Sequence, residues 1–276
     1  MRKMYRITGS KYNYFYPIIK PVSEAAKKLN IDFIVIGATA RDFLIEYVFD
    51  IDLNYRATQD IDVAFMIDKW EVYDEIMEIL VNEYSFIDHP QTQRLIFDEL
   101  PVDIIPYGKI AKNNEITWPS NKEIEMNVTG FEILFEKTFS CQYRNILFKI
   151  PQLEAFLISE IIAWQDRKYS TKKDREDIGI ILYNYNDFYP NHLFDNFSEL
   201  IDRPDYDYIK TGAILLGKRI NIFLENYPIL KKEVKTILED EIKNEDNCLL
   251  AHNLGENRGY SENYKMLSAF YKQIKL

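Results

Sequence analysis

The pattern of hydrophobic and polar positions divides the chain into a first part that mixes strands with helices and a second part of helices alone. Between residues 15 and 29, apolar side chains recur every three or four positions, which predicts a helix that ends at Asn30. The other predicted elements of the first part are strands at 32–36, 60–66, 93–98 and 101–106 and helices at 40–49 and 69–83. Residues 114–150 alternate short β-like pieces, and 143–150 is the clearest strand among them.

From residue 151 onward the apolar spacing is helical throughout. Helices are predicted at 153–165, 174–185, 194–202, 206–225, 227–243 and 261–274. Because sheet-forming segments come first and helices alone follow, the sequence predicts an α+β fold with two domains. The predicted domains are a domain of mixed strands and helices at 1–150 and a helical domain at 151–276.

Three carboxylates interrupt apolar strand-like runs in the first part. Asp60 and Asp62 are two residues apart on one predicted strand, so they point to the same face, while Ile61 and Val63 point into the core. Asp103 lies in a second strand-like run, where it is likewise flanked by apolar residues. Oxygen-only pockets of this kind hold Mg²⁺ together with substrate phosphates. The competing interpretation is a surface strand with solvated acids, against which the flanking apolar alternation argues.

A buried strand, a glycine turn and the first turn of a helix are predicted at residues 32–44. Such a junction can direct backbone N–H groups at an anion, and here Thr39 could add a hydroxyl and Arg41 a guanidinium. An alternative for Arg41 is a surface arginine paired with Asp42 or Glu46 on the same helix. A phosphate site next to a metal site predicts a nucleoside triphosphate as ligand.

Together these segments resemble the nucleotidyltransferase superfamily with a polymerase-beta-like palm. The resemblance rests on Ile36-Gly37-Ala38-Thr39, on Asp60-Ile61-Asp62 and on Val102-Asp103-Ile104, and it extends over roughly residues 30 to 185. The abortive-infection toxin branch (AbiEii/AbiGii type) is the most similar, because Lys173-Asp174-Arg175-Glu176-Asp177 matches its late motif. The glycine turn followed by Arg56 and Asp60-x-Asp62 is also similar to the head of tRNA CCA-adding enzymes. Ala38 and Glu160 depart from the family pattern, which has glycine or serine and lysine there.

The resemblance implies a nucleotidyltransferase-type mixed sheet with flanking helices, followed by a C-terminal helical bundle. It implies that Asp60 and Asp62 hold two Mg²⁺ ions, and that Asp103 ligates the second ion and helps to deprotonate the acceptor. Phosphate contacts would come from the remaining matched positions, Gly37, Ala38, Thr39, Arg41, Arg56 and Lys173, with Asp177 orienting Lys173 or a base. The toxin branch further implies RNA as acceptor, plausibly a tRNA 3′ end, and a cognate antitoxin protein as partner.

Composition narrows the function classes. With 276 residues and 47% hydrophobic content the chain has ample material for a core, and its apolar runs are far shorter than the ~20 residues of a membrane span. No apolar stretch follows the first residues, so a cytoplasmic protein is expected. Cys141 and Cys248 are isolated and are interpreted as reduced thiols.

The formal net charge of −10 argues against strong nonspecific binding to nucleic acid. A basic strip around Arg167 to Arg175 could still bind one phosphorylated end, although it is equally interpreted as a solvated helix face of mixed charge. Two rival functions therefore stay open beside RNA modification. One is nucleotide transfer to a small molecule or a protein, and the other is a catalytically silent nucleotide-binding module.

Overall fold

The computed structural model describes residues 3–53, 60–119, 125–198, 201–202, 204, 206–252, 254 and 258–276. The chain divides into two compact units, Met1–Phe156 and Leu157–Leu276. The first unit carries the strands and the second carries helices. The predicted α+β class, with a mixed sheet, flanking helices and a C-terminal helical bundle, is confirmed.

The strands in the described part of the first unit form three sheets. A five-stranded sheet has the order β2-β3-β6-β5-β4, a three-stranded sheet has the order β1-β9-β10, and β7 pairs with β8. The bounds are β1 Met4–Ile7, β2 Phe33–Ile36, β3 Ile61–Met66, β4 Ile87–Asp88, β5 Arg94–Phe97, β6 Leu100–Tyr107, β7 Glu115–Thr117, β8 Glu125–Asn127, β9 Thr138–Tyr143 and β10 Ile146–Pro151. The five-stranded sheet is mixed because β3 runs antiparallel to β2 and parallel to β6.

Four helices lie wholly within the described residues of the first unit: α1 Tyr16–Leu29, α2 Gly37–Phe43, α3 Trp70–Tyr84 and α4 Phe131–Glu136. A π-helical turn, Leu44–Val48, extends α2. The apolar stripe of α1 is buried, as its spacing predicted, and the helix ends at Asn30, which adopts the left-handed conformation (φ 53°). α1 packs against α3, and β10 packs against β2.

Three local expectations were wrong. The helix predicted at 40–49 begins at Gly37, so the glycine turn is itself the helix start. The strand predicted at 143–150 is a hairpin, because Arg144 adopts the left-handed conformation (φ 53°) and separates β9 from β10. The short helix α4 forms inside a stretch predicted as β-like pieces.

The second unit contains helices in its described residues. α5 Leu153–Arg167 enters it from the first unit, and it is followed by α6 Lys173–Phe188, α7 Pro190–Phe197, α8 Tyr208–Phe223, α9 Pro228–Ile242, a 3₁₀ turn Glu245–Asn247 and α10 Tyr260–Tyr271. α8 approaches α10 closely at Gly217, where an added Cβ would lie 2.4 Å from the carbonyl oxygen of Phe270. No helix of the described residues has the length and apolar content needed to cross a bilayer.

Candidate active site

Two neighbouring strands bring the predicted carboxylates together. β3 and β6 pair in parallel with Asp62 opposite Asp103, and paired strands lie about 4.8 Å apart. Asp60 immediately precedes β3, and both Asp60 and Asp62 are half-buried. Ile61 and Val63 are fully buried on the other face. The expected placement of the acids on one face, with apolar neighbours in the core, is therefore what the strand pairing produces.

Sequence reasoning missed a guanidinium that contacts one of these acids. Arg94 on β5 is the cross-strand partner of Asp103 on β6. Its Nε donates to Oδ1 of Asp103 at 2.7 Å and its Nη2 donates to Oδ2 at 2.8 Å. This hydrogen-bonded carboxylate raises the pKa of Arg94, and the charges of Asp60 and Asp62 raise it further. Asp103 thus contacts the guanidinium directly, and Asp60 and Asp62 act on it through their charge.

The position of Arg94 follows from a two-residue turn. β5 ends at Phe97 and β6 begins at Leu100, and the intervening Asp98 and Glu99 have φ values of 48° and 67°. Two consecutive positive φ values are typical of the hairpin turn that matches strand twist. Counting outward from this turn pairs Arg94 with Asp103, whereas the predicted strands 93–98 and 101–106 put the turn one residue later, so the position of the turn was the sequence signal that could have identified Arg94.

The glycine turn contacts the same carboxylates. Gly37, the first residue of α2, has a φ of +61°, and a Cβ placed on it would lie 2.3 Å from Oδ2 of Asp62. Only glycine permits both this backbone conformation and this close approach. Two residues later, the hydroxyl of Thr39 donates to the carbonyl oxygen of Asp60 at 3.1 Å. The start of α2 is therefore fixed against the two residues that carry the acids of β3.

The residues predicted to contact phosphate differ in burial and in hydrogen bonding. Ala38 is half-buried next to Gly37, whereas Thr39 is fully buried. A threonine hydroxyl has a single hydrogen to donate, and here it goes to the Asp60 carbonyl. Arg56 lies outside the described residues. The roles predicted for these residues stay predictions.

Arg41 is not the surface arginine that its position on a short helix suggested. Its side chain is 2% exposed and that of Asp42 is 3% exposed. Nη2 and Nε of Arg41 donate to Oδ1 of Asp42 at 2.7 and 3.0 Å. Burial raises the pKa of Asp42 to about 6, although Arg41 opposes that shift. The pairing with Asp42 is the alternative considered for Arg41, but in a buried setting, and its predicted phosphate contact stays a prediction.

The donor set is chemically suited to a hard divalent ion. The side-chain atoms of Asp60, Asp62 and Asp103 that could ligate a metal are all carboxylate oxygens. One or two carboxylates together with substrate phosphates are the usual ligands of Mg²⁺. Within the part of the chain that the structure describes, no group of three or more His, Cys, Asp or Glu residues is arranged to hold a metal ion. This is consistent with the position of Asp103, because both of its carboxylate oxygens accept hydrogen bonds from Arg94. Asp60 and Asp62 fit the two-carboxylate mode.

The late motif belongs to the second unit. Lys173 is the exposed first residue of α6, and Asp177 is buried one turn further on. Between them, buried Asp174 accepts from Nη2 of Arg167 at 2.5 Å, and burial raises the pKa of Asp174. This ion pair favours the mixed-charge interpretation of the basic strip. The catalytic contributions predicted for Lys173 and Asp177 stay predictions.

Comparisons with known proteins give two structural likenesses. An antigenic nucleotidyltransferase-like protein from Paracoccidioides brasiliensis is 15% identical over 79% of this chain and 91% of that one, with a TM-score of 0.40. The antibiotic-resistance factor ANT(2'')-Ia is 12% identical over 81% of this chain and 98% of that one, with a TM-score of 0.38. No family model and no curated protein matches the chain. At such low identities and TM-scores, neither likeness carries an argument about function.

Proposed function

We propose that the protein is a nucleotidyltransferase, which transfers a nucleoside monophosphate from a nucleoside triphosphate to an acceptor hydroxyl and releases pyrophosphate. The observation that carries the proposal is the close approach of Gly37 to Asp62, next to Asp60 and Asp103. The glycine at the start of α2 lies directly beside a group of carboxylates that is suited to a metal–phosphate complex. Neither feature alone would support this chemistry.

In the proposed reaction Asp60 and Asp62 hold Mg²⁺, for which the resemblance to the superfamily implies two ions. Bound Mg²⁺ would neutralise the triphosphate charge and stabilise both the entering and the leaving oxygen. The acceptor oxygen forms a bond to the α-phosphorus as the bond from that phosphorus to the β-phosphate oxygen breaks. Asp103 is proposed to ligate the second ion and to help deprotonate the acceptor hydroxyl, whose proton a carboxylate oxygen of Asp103 receives.

The start of α2 is the proposed phosphate contact. The first backbone N–H groups of a helix have no partner within it, and Gly37 and Ala38 contribute two of them. Thr39 and Arg41 contact Asp60 and Asp42 in this structure, so the backbone is better placed than either side chain to bind phosphate. Arg56 and Lys173 are proposed as further phosphate ligands on the resemblance alone.

RNA, with a tRNA 3′ end as the specific target, is the acceptor that the resemblance to the toxin branch supports. The same resemblance supports a growth-arresting role controlled by an antitoxin protein. The net charge of −10 favours a second candidate, nucleotide transfer to a small molecule or a protein side chain. The acceptor classes differ in how their labelled product is degraded, so one assay separates them.

The test is incubation of the protein with each α-labelled nucleoside triphosphate, Mg²⁺ and a cell extract, with EDTA samples as background. The products are then divided between ribonuclease and protease digestion. We expect label in a macromolecular product, lost to ribonuclease for an RNA acceptor and to protease for a protein acceptor. Label that stays in a small product other than the triphosphate identifies a small-molecule acceptor. No transfer with any of the four triphosphates contradicts the proposal and favours a silent nucleotide-binding module.

A further inference from the structure

Both carboxylate oxygens of Asp103 accept hydrogen bonds from Arg94, at 2.7 and 2.8 Å. This bidentate contact uses the planar guanidinium fork, which matches a carboxylate better than any other side-chain cation does. A divalent ion that binds Asp103 must therefore approach a carboxylate already facing a positive charge. Close to the same oxygens, the ion and the guanidinium would repel each other.

The surroundings of the pair allow it to separate. The side chain of Arg94 is 28% exposed and that of Asp103 is 15% exposed, so water reaches both. Asp62 is the neighbour of Asp103 across the sheet, and Asp60 and Asp62 both act on the Arg94 guanidinium electrostatically. Arg94 therefore neutralises a group of like charges while it remains close to solvent. A cation that replaces it would have to offer the carboxylates at least as much charge.

We infer that Arg94 is a built-in counter-ion that competes with a divalent cation for Asp103. In the nucleotide-free protein the first ion is held by Asp60 and Asp62, and Asp103 becomes a metal ligand only after Arg94 has left it. A triphosphate supplies new anionic partners for the released guanidinium, so nucleotide binding favours the exchange. Arg94 is thus a positioning residue that couples metal binding to nucleotide binding. Its catalytic consequence rests on the proposed function, whereas the competition itself does not.

The test uses Mn²⁺ as the probe and measures its binding without nucleotide, by electron paramagnetic resonance and by calorimetry. The variants are Arg94→Gln, Arg94→Lys, Asp103→Asn and the double variant Arg94→Gln/Asp103→Asn. We expect Arg94→Gln to bind Mn²⁺ about tenfold more tightly than the wild type, or to bind one more ion. Arg94→Lys should lie between the two, because lysine keeps the charge and loses the bidentate contact.

The double variant identifies the route of the effect. Loss of a positive charge near Asp60 and Asp62 strengthens cation binding in general, but competition for Asp103 predicts that the gain caused by Arg94→Gln is clearly smaller in the Asp103→Asn background than in the wild-type background. A gain of the same size in both backgrounds would overturn the inference, and so would unchanged Mn²⁺ binding in Arg94→Gln. Arg144→Gln, an exposed arginine in the turn between β9 and β10, is the matched control and should leave Mn²⁺ binding unchanged.

Melting temperatures provide a second measurement if Arg94→Gln is destabilised. Mn²⁺ should raise the melting temperature of Arg94→Gln and of Arg94→Lys more than that of the wild type, and an equal rise in all three contradicts the inference. The result is distinguishable from the fate of the proposed function. The expected Mn²⁺ pattern without any nucleotide transfer would leave the inference standing and reject the enzyme. Transfer without the Mn²⁺ pattern would do the opposite.

Discussion

The first unit contains two arginine–aspartate pairs with almost the same contact distances and very different surroundings. Arg41 and Asp42 are 2% and 3% exposed, whereas Arg94 and Asp103 are 28% and 15% exposed. A buried pair that loses one partner leaves a charge in a medium that solvates it poorly, but an exposed pair exchanges partners with water and ions. Burial, and not contact distance, therefore separates a pair that supports the fold from a pair that is available for chemistry.

The largest effect is expected from removing a carboxylate next to the exposed Arg94–Asp103 pair. Asp62→Asn should lower nucleotide transfer on the order of a thousandfold, because it removes several kcal/mol of transition-state stabilisation from the metal–phosphate complex. Stability should not fall, since the change also relieves repulsion among the acids. Transfer of the α-label and urea denaturation measure the two quantities. Asp88→Asn, an exposed acid on β4 of the same sheet, is the control, and a variant rate within about tenfold of wild type rejects the role of Asp62.

The second effect compares the two arginines directly. Arg41→Ala should lower the free energy of unfolding by about 3–5 kcal/mol, because Asp42 would be left buried without its partner. Arg94→Ala should lower it by less than about 1 kcal/mol, as for other partly exposed pairs. Urea denaturation of both variants under one buffer measures the difference. Equal losses would show that exposure does not distinguish the pairs.

The third effect is the pH dependence of stability that the buried Arg41–Asp42 pair should cause. The pKa of Asp42 is raised from 3.8 to about 6, so the unfolded chain loses this proton at lower pH than the native protein does. The contribution of Asp42 to stability is therefore greatest below about pH 4 and decreases as pH rises to about 6, by at most about 3 kcal/mol. A carbon-detected NMR titration should place the Asp42 midpoint about two units above its ordinary value. A midpoint near 3.8 would contradict this prediction and would mean that Arg41 fully offsets the effect of burial.

The smallest effect tests the contact between the glycine turn and the acids. Gly37→Ala should cost about 1–2 kcal/mol of stability for the positive φ alone, and it should also displace the Asp62 carboxylate, which an added Cβ would approach to 2.3 Å. Gly9→Ala is the matched control, because Gly9 also has a positive φ but open space around it. Reduced transfer in Gly37→Ala and normal transfer in Gly9→Ala is the expected result. Equal transfer in both would separate the glycine turn from the site.

Much of the fold follows from local spacing. The helices α1 and α3 lie within about one residue of their predicted bounds, and β3 has the alternation that predicted Asp60 and Asp62 on one face. The hairpin at 143–150 could not be predicted in this way, because Arg144 makes the turn without a glycine or proline signal. Strand pairing across the sheet, which is not a local property, decides that conformation.

The placement of the three acids was predictable from the sequence, and the surroundings of Arg41 and Arg94 were not. The carboxylates were identified because they interrupt apolar strands, where an acid is unusual. Charged arginines are expected at the surface, so the burial of Arg41 could not be read from its neighbours in sequence. Arg94 carries no local signal either, and only the register of its hairpin relates it to Asp103.

The turn at Asp98 and Glu99 gives this register a consequence for how such a protein can diverge. Side chains alternate between the two faces of a strand, so an extra turn residue that shifts the pairing by one position, instead of lengthening the loop, would carry Arg94 to the opposite face of the sheet. The three acids would lose a neighbouring positive charge although neither they nor Arg94 had been replaced. A single-codon insertion in a surface loop could thus retune cation affinity in one evolutionary step.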